Sequence, residues 1–267
     1  MTTDTPAQLT QPRAASVEVS GGNVSFLQKG SGAPLVVLHH SISSHGWLPL
    51  HERLAERYAV HVPDLPGWGD SDRPDWARDV RDIAILVELW MDAMELSGVT
   101  LVGCGFGGWV AAELATMSQS RLARLVLVGA AGIRPREGAI VDQLVVDYVE
   151  YVRSGFHDEA EFDRHFGDDP PRETRMLLYG GREMTMRVTW KPWMFNDALP
   201  VLLTGVQTPL LVVWGANDAI MPLDCGEQFA EAAPNAALHV IEDGGHFLDF
   251  ERPDALGELI EEFGSEA

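Results

Sequence analysis

Short apolar runs alternate along most of the chain with longer stretches in which apolar positions recur every three or four residues. The runs are typical of strands buried on both faces, and they occur at 34–39, 60–62, 125–128, 209–214 and 238–241. The longer stretches predict helices that include 80–94, 110–117, 223–232 and 253–263. Helical spacing is also present at Leu50, Leu54 and Tyr58. Two short strands are predicted near the start, at 16–19 and 24–28. Strands that alternate with helices imply an α/β fold whose parallel sheet is covered on both faces.

The pattern changes at 134–199. An apolar stripe from Ile140 to Val152 has helical spacing, but no strand follows it. Methionine and tryptophan residues then lie among charged residues and prolines. We predict that 134–199 is a helical lid, inserted into a core formed by 1–133 and 200–267.

Composition and charge narrow the possible functions. With 267 residues, of which 46% are hydrophobic, the chain is long enough for one large domain. The formal net charge of −21 argues against nucleic acid as a partner, because phosphate binding needs basic patches. No stretch approaches the roughly 20 apolar residues of a membrane helix, and the two distant cysteines indicate no disulfide framework. We expect a cytoplasmic protein that acts on a small molecule without a cofactor or a metal.

A glycine-rich turn at 101–109 lies between an apolar run and a helix of small residues. Strand, tight turn and helix form the setting of the nucleophile elbow, Gly-x-Ser-x-Gly. In that pattern Gly103 and Gly107 are the flanking small residues. Gly105 occupies the apex, where a serine is expected, so the turn is present and the nucleophile position is vacant.

Cys104 offers an alternative nucleophile in a register shifted by one residue. That register would place Val102 and Phe106 at the flanking positions, where the sharp turn requires small residues. We therefore interpret Cys104 as a small buried packing residue.

Five motifs follow one another in a characteristic order: Leu38-His39-His40-Ser41, Asp64-x-x-Gly67-x-Gly69-x-Ser71, Gly103-x-Gly105-x-Gly107-Gly108, Trp214-Gly215-x-x-Asp218-x-x-x-Pro222 and Gly244-Gly245-His246. Through them nearly the whole chain resembles the α/β-hydrolase fold superfamily. The resemblance implies a mostly parallel central sheet flanked by helices, with a helical lid after the sixth strand. The sequence departs from the family at Gly105 and at His40, where the family usually has a glycine.

The resemblance also implies site residues. The family's order of nucleophile, acid and base makes Asp218 the acid and His246 the base. The implied oxyanion-binding or substrate-binding residues are Ser41, Ile42, Phe106 and His40. Ser41 matches a serine found in lid-bearing hydrolases that cleave carbon–carbon bonds of oxo-dienoic acids, although serine is also ordinary in a loop. His40 is expected either to line the pocket or to crowd it.

Other polar residues have simpler interpretations. His157 and His165 lie among charges of the lid and are expected to be solvated, whereas His239 is expected to pack or to lie at the surface. The motif that begins at Asp64 is interpreted as a structural turn. Basic and aromatic residues in the second half of the lid either hold a substrate carboxylate or form a solvated face, and they are Arg182, Arg187, Lys191, Trp190 and Trp193.

Three interpretations of Gly105 stay open. The protein is an enzyme without a side-chain nucleophile, a ligand-binding pseudoenzyme, or a serine hydrolase disarmed by substitution. The first interpretation is favoured, because a pure binding protein has no need of both Asp218 and His246. It predicts a hydrolase or lyase that acts on a small, partly apolar carbonyl compound such as an ester, lactone or oxo-acid. A serine at position 105 is then expected to create an ordinary nucleophile.

Overall fold

The computed structural model describes residues 11–265. It contains eight strands, which are β1 Arg13–Val19, β2 Gly22–Lys29, β3 Ala33–Leu38, β4 Tyr58–Pro63, β5 Val99–Cys104, β6 Leu122–Val128, β7 Leu210–Gly215 and β8 Ala236–Ile241. They form one sheet in the order β1-β2-β4-β3-β5-β6-β7-β8. The β1–β2 and β2–β4 pairs are antiparallel, and every later pair is parallel. The predicted mostly parallel sheet is confirmed.

Helices cover both faces of the sheet. They are α1 Pro49–Leu54, α2 Val80–Ala93, α3 Phe106–Met117, α4 Tyr148–Ser154, α5 Glu159–Phe166, α6 Arg172–Thr189, α7 Leu199–Leu203, α8 Leu223–Ala232, α9 Leu248–Glu251 and α10 Pro253–Ser265. Alternate strand residues enter different cores. In β5, Leu101 packs on the side of α2, α3 and α8, whereas Val102 packs on the side of α1 and α10. Among residues 11–265, no helix is both long and apolar enough to span a membrane.

Two predicted helices are shorter than their apolar spacing indicates. Helix α1 ends at Leu54, and Tyr58 begins β4 instead, where it pairs with Ala33 of β3. Pairing in the parallel sheet outweighs the helical spacing here. The stripe from Ile140 becomes helical only at Tyr148, because the Asp147 side chain accepts hydrogen bonds from the backbone of the first turn of α4.

The chain between β6 and β7 contains α4, α5, α6 and α7. Helix α6 lies against the loop that follows β3, where a Cβ on Gly181 would approach the Ser41 carbonyl oxygen to 2.5 Å. The loop after α4 lies against the chain after β8, because the His246 amide donates a hydrogen bond to the Gly155 carbonyl at 2.6 Å. These helices therefore cover the carboxyl ends of the parallel strands. The lid boundaries at 134 and 199 stay a prediction.

Candidate active site

The sharp turn between β5 and α3 places Gly105 at its apex with a φ of +53°. That backbone conformation is strained for residues with a side chain. Both flanking glycines are needed for close backbone contacts. A Cβ on Gly103 would lie 2.5 Å from the Gly107 oxygen, and a Cβ on Gly107 would lie 2.5 Å from the Leu38 oxygen. The geometry therefore supports the register in which Gly105 is the apex.

Cys104 belongs to the strand rather than to the apex of the turn. Its side chain is fully buried in the core beside α1 and α10, and burial raises the pKa of the thiol well above its usual value. Its sulfur lies within 4.8 Å of the ligand atoms of His40 and Asp249. A neutral buried thiol is a poor nucleophile, so the interpretation as a packing residue holds.

His246 and Asp218 meet at the ends of the last two strands. His246 Nδ1 lies 2.8 Å from Asp218 Oδ2, and both side chains are almost completely buried. The other oxygen, Asp218 Oδ1, accepts hydrogen bonds from the backbone of Ile220 and Met221, each at 2.8 Å. Because a carboxylate accepts only, the Asp218 contact places a proton on Nδ1 and leaves Nε2 with a free lone pair.

The free nitrogen of His246 faces the apex of the elbow. A Cβ built on Gly105 would lie 3.2 Å from His246 Nε2. At this distance His246 Nε2 is close enough to accept a proton from a group that lies beside the apex. The geometry is therefore compatible with the predicted roles of His246 as base and Asp218 as its orienting carboxylate, although Gly105 offers no side chain to deprotonate.

The His40 imidazole lies against the position that a side chain on residue 105 would take. The same Cβ on Gly105 would lie only 2.3 Å from His40 Nδ1. The imidazole therefore occupies the space that a side chain at the apex would require. The two departures from the family pattern, His40 and Gly105, are therefore neighbours in the structure.

His40 has a carboxylate partner of its own, which sequence reasoning missed. His40 Nε2 lies 2.9 Å from Asp249 Oδ1, and both groups are buried. Burial lowers the pKa of His40, and the contact with Asp249 offsets only part of this effect. Asp249 follows His246 by three residues, in the short helix α9. No local spacing in the sequence connects Asp249 with His40, because 209 positions separate the two.

The rings of His40 and His246 are in direct contact. Their centroids lie 5.0 Å apart, and the Phe247 ring packs against both, at 4.8 Å from His40 and 5.0 Å from His246. Aromatic packing of this kind holds both imidazoles in fixed orientations.

The implied oxyanion-binding residues lie beside the elbow. Phe106 is the first residue of α3, so its amide is among the groups without a partner inside the helix. The loop after β3 is held against the elbow by the hydrogen bond from the Gly107 amide to the His39 oxygen, at 3.1 Å. Ser41 and Ile42 in that loop are both buried. Their assignment to an oxyanion hole stays a prediction.

Two tyrosines on α4 also reach this loop, and the sequence analysis did not identify them. The rings of Tyr148 and Tyr151 are stacked with centroids 5.2 Å apart. Burial raises the pKa of both phenols, and the nearby Ser41 side chain opposes this shift. Among residues 11–265, the Tyr148 hydroxyl has no hydrogen-bond partner of normal geometry. Two tyrosines three residues apart in an apolar stripe were the available signal.

The basic residues of the second half of the lid do not act together. Arg187 is exposed and pairs with Glu183, and Lys191 is exposed. Trp190 is exposed as well, while Trp193 is half-buried. Only Arg182 turns inward, where it donates to the Leu144 carbonyl oxygen at 2.8 Å. The solvated face is therefore the better description of Arg187 and Lys191.

The remaining histidine predictions have mixed outcomes. His157 and His239 are exposed. His165 was expected to be solvated, but it is half-buried, and its ring packs against Phe250 with centroids 5.1 Å apart. The expectation for His165 was wrong, because apolar rings beneath the surrounding charges cover one side of the imidazole.

The motif at Asp64 is a structural turn, in which the carboxylate accepts a hydrogen bond from the Asp70 amide at 2.9 Å.

Comparison with known proteins identifies the family of the chain and proteins with a similar fold. Residues 36–259 match the Alpha/beta hydrolase family. The chain is 27% identical to an uncharacterized protein of Mycobacterium tuberculosis, across 92% of this chain and 79% of that protein. It is 28% identical to a 2-hydroxymuconate semialdehyde hydrolase of Pseudomonas sp. strain CF600, across 93% and 92%. The solved 2-hydroxy-6-oxo-6-phenylhexa-2,4-dienoate hydrolase of Rhodococcus sp. strain RHA1 has a similar fold, with a TM-score of 0.75 at 24% identity, across 96% of this chain and 99% of that one. The chain belongs to the α/β-hydrolase family.

Proposed function

We propose that the protein is a hydrolase that adds water to the carbonyl group of a small, partly apolar ester, lactone or oxo-acid without a side-chain nucleophile. The observation that carries this proposal is the position of His246 Nε2, 3.2 Å from the place of a Cβ on Gly105. Asp218 fixes the tautomer that leaves this nitrogen free to accept a proton. A base that is held so firmly toward the apex is suited to activate water there.

The reaction needs one proton carrier and one oxyanion site. His246 removes a proton from water as the water oxygen attacks the carbonyl carbon. The carbonyl oxygen becomes an oxyanion, which the Phe106 amide and the Ser41–Ile42 loop are placed to stabilise. The bond to the leaving group then breaks, and His246 returns its proton to that group. Asp218 stays ionised and stabilises the imidazolium.

The relatives suggest a substrate class. The matched proteins from Pseudomonas and Rhodococcus are named as hydrolases of 2-hydroxymuconate semialdehyde and of a phenyl-substituted oxo-dienoate. The buried aromatic residues around the site, including Phe247 and the two stacked tyrosines, are suited to a planar apolar substrate. We include a carbon–carbon bond beside a ketone among the bonds to be tested.

The glycine at position 105, which offers no side-chain nucleophile, favours one competing proposal, a ligand-binding protein without turnover. His40 is 1% exposed and His246 is 5% exposed, so the described conformation admits no substrate to Gly105. Under the hydrolase proposal, the helices over the site must move to admit substrate. Under the binding proposal, ligand affinity survives the loss of His246.

The test is a substrate screen on matched variants. The parent, His246→Gln and the exposed control His239→Gln are assayed with phenyl acetate, 2-hydroxymuconate semialdehyde and 2-hydroxy-6-oxo-6-phenylhexa-2,4-dienoate. The proposal expects turnover by the parent and by the control, and a loss of about 10⁴-fold in kcat for His246→Gln. A parent that binds these compounds without turning over any of them would favour the binding protein.

A further inference from the structure

The His40–Asp249 pair faces the His246–Asp218 pair across the apex of the elbow. The two contacts have nearly equal lengths, 2.9 Å and 2.8 Å, and all four side chains are almost completely buried. Each pair directs one imidazole nitrogen toward Gly105. His40 Nδ1 lies 2.3 Å from the position of a Cβ there, and His246 Nε2 lies 3.2 Å from the same point.

Both of these nitrogens carry free lone pairs. A carboxylate cannot donate, so Asp249 places the proton of neutral His40 on Nε2 and leaves Nδ1 as an acceptor. Among residues 11–265, His40 Nδ1 has no hydrogen-bond partner, although it is buried. A buried acceptor without a donor costs free energy, which indicates a donor from outside the chain.

A role in packing alone does not explain this arrangement. A phenylalanine or leucine would fill the same space without bringing a carboxylate into the interior. Burying Asp249 and an imidazole is unfavourable unless both are paired. The pairing leaves only one atom unsatisfied, and that atom is the one aimed at the reaction centre.

We propose that His40 is a second catalytic residue, which together with His246 holds the reacting water between His40 Nδ1 and His246 Nε2, beside Gly105. This inference rests on the proposed hydrolase function. One water molecule has two O–H bonds, which fits two facing acceptors, and its oxygen lone pairs then point away from both rings. His40 and Asp249 replace the serine side chain as the part of the site that positions the attacking oxygen.

The proton balance assigns different tasks to the two histidines. The water oxygen bonds to the carbonyl carbon, its first proton passes to His246 Nε2, and the carbonyl electron pair moves to oxygen. The oxyanion electron pair then re-forms the carbonyl as the bond to the leaving group breaks, and the leaving atom takes the proton from His246. The second proton stays on the product acid, hydrogen-bonded to His40 Nδ1, until the acid ionises and leaves.

Asp249→Asn tests the lone pair of His40 with almost no change in volume. The amide donates to His40 Nε2, so the imidazole proton moves to Nδ1, and the nitrogen that faces Gly105 becomes a donor. We expect kcat to fall by about 10²- to 10³-fold while KM changes little. The control is His51→Gln, at a buried histidine near Asp249 whose Nδ1 accepts from the Leu48 amide. It should keep a kcat close to that of the parent.

His40→Gly tests the same role when Asp249→Asn does not fold. This variant removes the imidazole and leaves space beside Gly105. Its lost activity should return in part on addition of imidazole, and not on addition of toluene, which has a similar shape but no nitrogen. Rescue by both compounds would show that His40 acts only through packing, and a failure of imidazole to restore activity would count against the inference.

A spectroscopic readout is independent of turnover. In ¹⁵N-histidine-labelled parent protein, His40 should show a protonated Nε2 and an unprotonated Nδ1, and Asp249→Asn should exchange the two. A protonated Nδ1 in the parent would overturn the inference.

Two activity measurements and one peptide map separate the proposals. A parent without turnover defeats the proposed function and this inference together. A parent with turnover that Asp249→Asn leaves unchanged defeats only the inference. Peptide mapping of the parent after an acid quench during turnover gives the third result. An acyl group found on His40 would show that His40 acts as a nucleophile, and it would overturn the water-positioning role.

Discussion

Two imidazole–carboxylate pairs meet at Gly105, and they are built in different ways. His246 and Asp218 come from loops at the carboxyl ends of adjacent strands, where two backbone amides also bind Asp218. His40 and Asp249 come from the end of β3 and from helix α9, and their side chains are almost completely buried as well. The first pair belongs to the family pattern. The second pair places His40 against the position that a side chain on residue 105 would take. The comparison teaches that a change at Gly105 has to be considered together with His40.

Breaking the first pair should have the largest effect. Asp218→Asn keeps the volume of the side chain but favours the wrong tautomer of His246. We expect the fold to be preserved and kcat to fall by about 10⁴-fold, more than for Asp249→Asn. Steady-state kinetics measure this difference on whichever of the three screened substrates the parent turns over. Circular dichroism checks that the variants are folded. Equal losses in the two variants would contradict the ranking of the two pairs.

Replacing His40 and Gly105 together should create a serine nucleophile at residue 105. Gly105→Ser alone meets His40 Nδ1, in addition to backbone strain of about 1–3 kcal/mol at the positive φ. The sequence-based expectation that this one change creates a nucleophile is therefore incomplete. The double variant His40→Gly/Gly105→Ser should be labelled by a fluorophosphonate at residue 105, while Gly105→Ser alone should not. Labelling of the single variant would show that His40 moves aside easily.

The surroundings of the second pair should make the protein sensitive to acid. Burial lowers the pKa values of His39, His45 and His51 from 6.5 to about 4. The unfolded chain binds protons below pH 6.5 that the folded chain binds only near pH 4, so stability is lost as the pH falls through this window. Each histidine contributes about 1.4 kcal/mol per pH unit.

Urea unfolding at several pH values measures this loss of stability. His51→Gln should reduce the slope of unfolding free energy against pH by the contribution of one histidine, about 1.4 kcal/mol per pH unit. The exposed variant His239→Gln provides the matched control and should retain the full slope. An unchanged slope in His51→Gln would contradict the buried, neutral state of that residue.

The smallest effect is expected at the tyrosines beside Ser41. Tyr148→Phe removes the buried hydroxyl that lacks a partner among the described residues. If this hydroxyl donates to a substrate oxygen, KM should rise by about two- to tenfold, which corresponds to one hydrogen bond. Tyr179→Phe is the control, because that tyrosine is exposed and its hydroxyl binds Asp147. An equal effect in both variants would place the contribution of Tyr148 in packing alone.

The sequence predicted the fold and the first pair for physical reasons. Buried parallel strands produce continuous apolar runs, and a sharp strand–helix turn requires glycines at fixed spacing. The order of the motifs then connected Asp218 with His246, although 28 residues separate them. These features depend on local backbone geometry, which short stretches of sequence specify.

The second pair was not predictable in the same way. His40 was visible as a departure from the family, but its space beside Gly105 depends on how β3 and β5 pair. Asp249 becomes its partner only when α9 folds back under the elbow, and 209 residues separate the two. The helix limits at Leu54 and Tyr148 also depended on pairing and capping rather than on apolar spacing.

Catalysis by His246 without a side-chain nucleophile is tested most directly by the mass of the protein during turnover. The parent is mixed with excess phenyl acetate, quenched in acid before the substrate is exhausted, and measured by intact-protein mass spectrometry alongside His246→Gln. We predict that product accumulates only with the parent, and that the protein mass stays that of the unmodified chain throughout. An acetyl adduct that forms and decays at the rate of turnover would contradict the account.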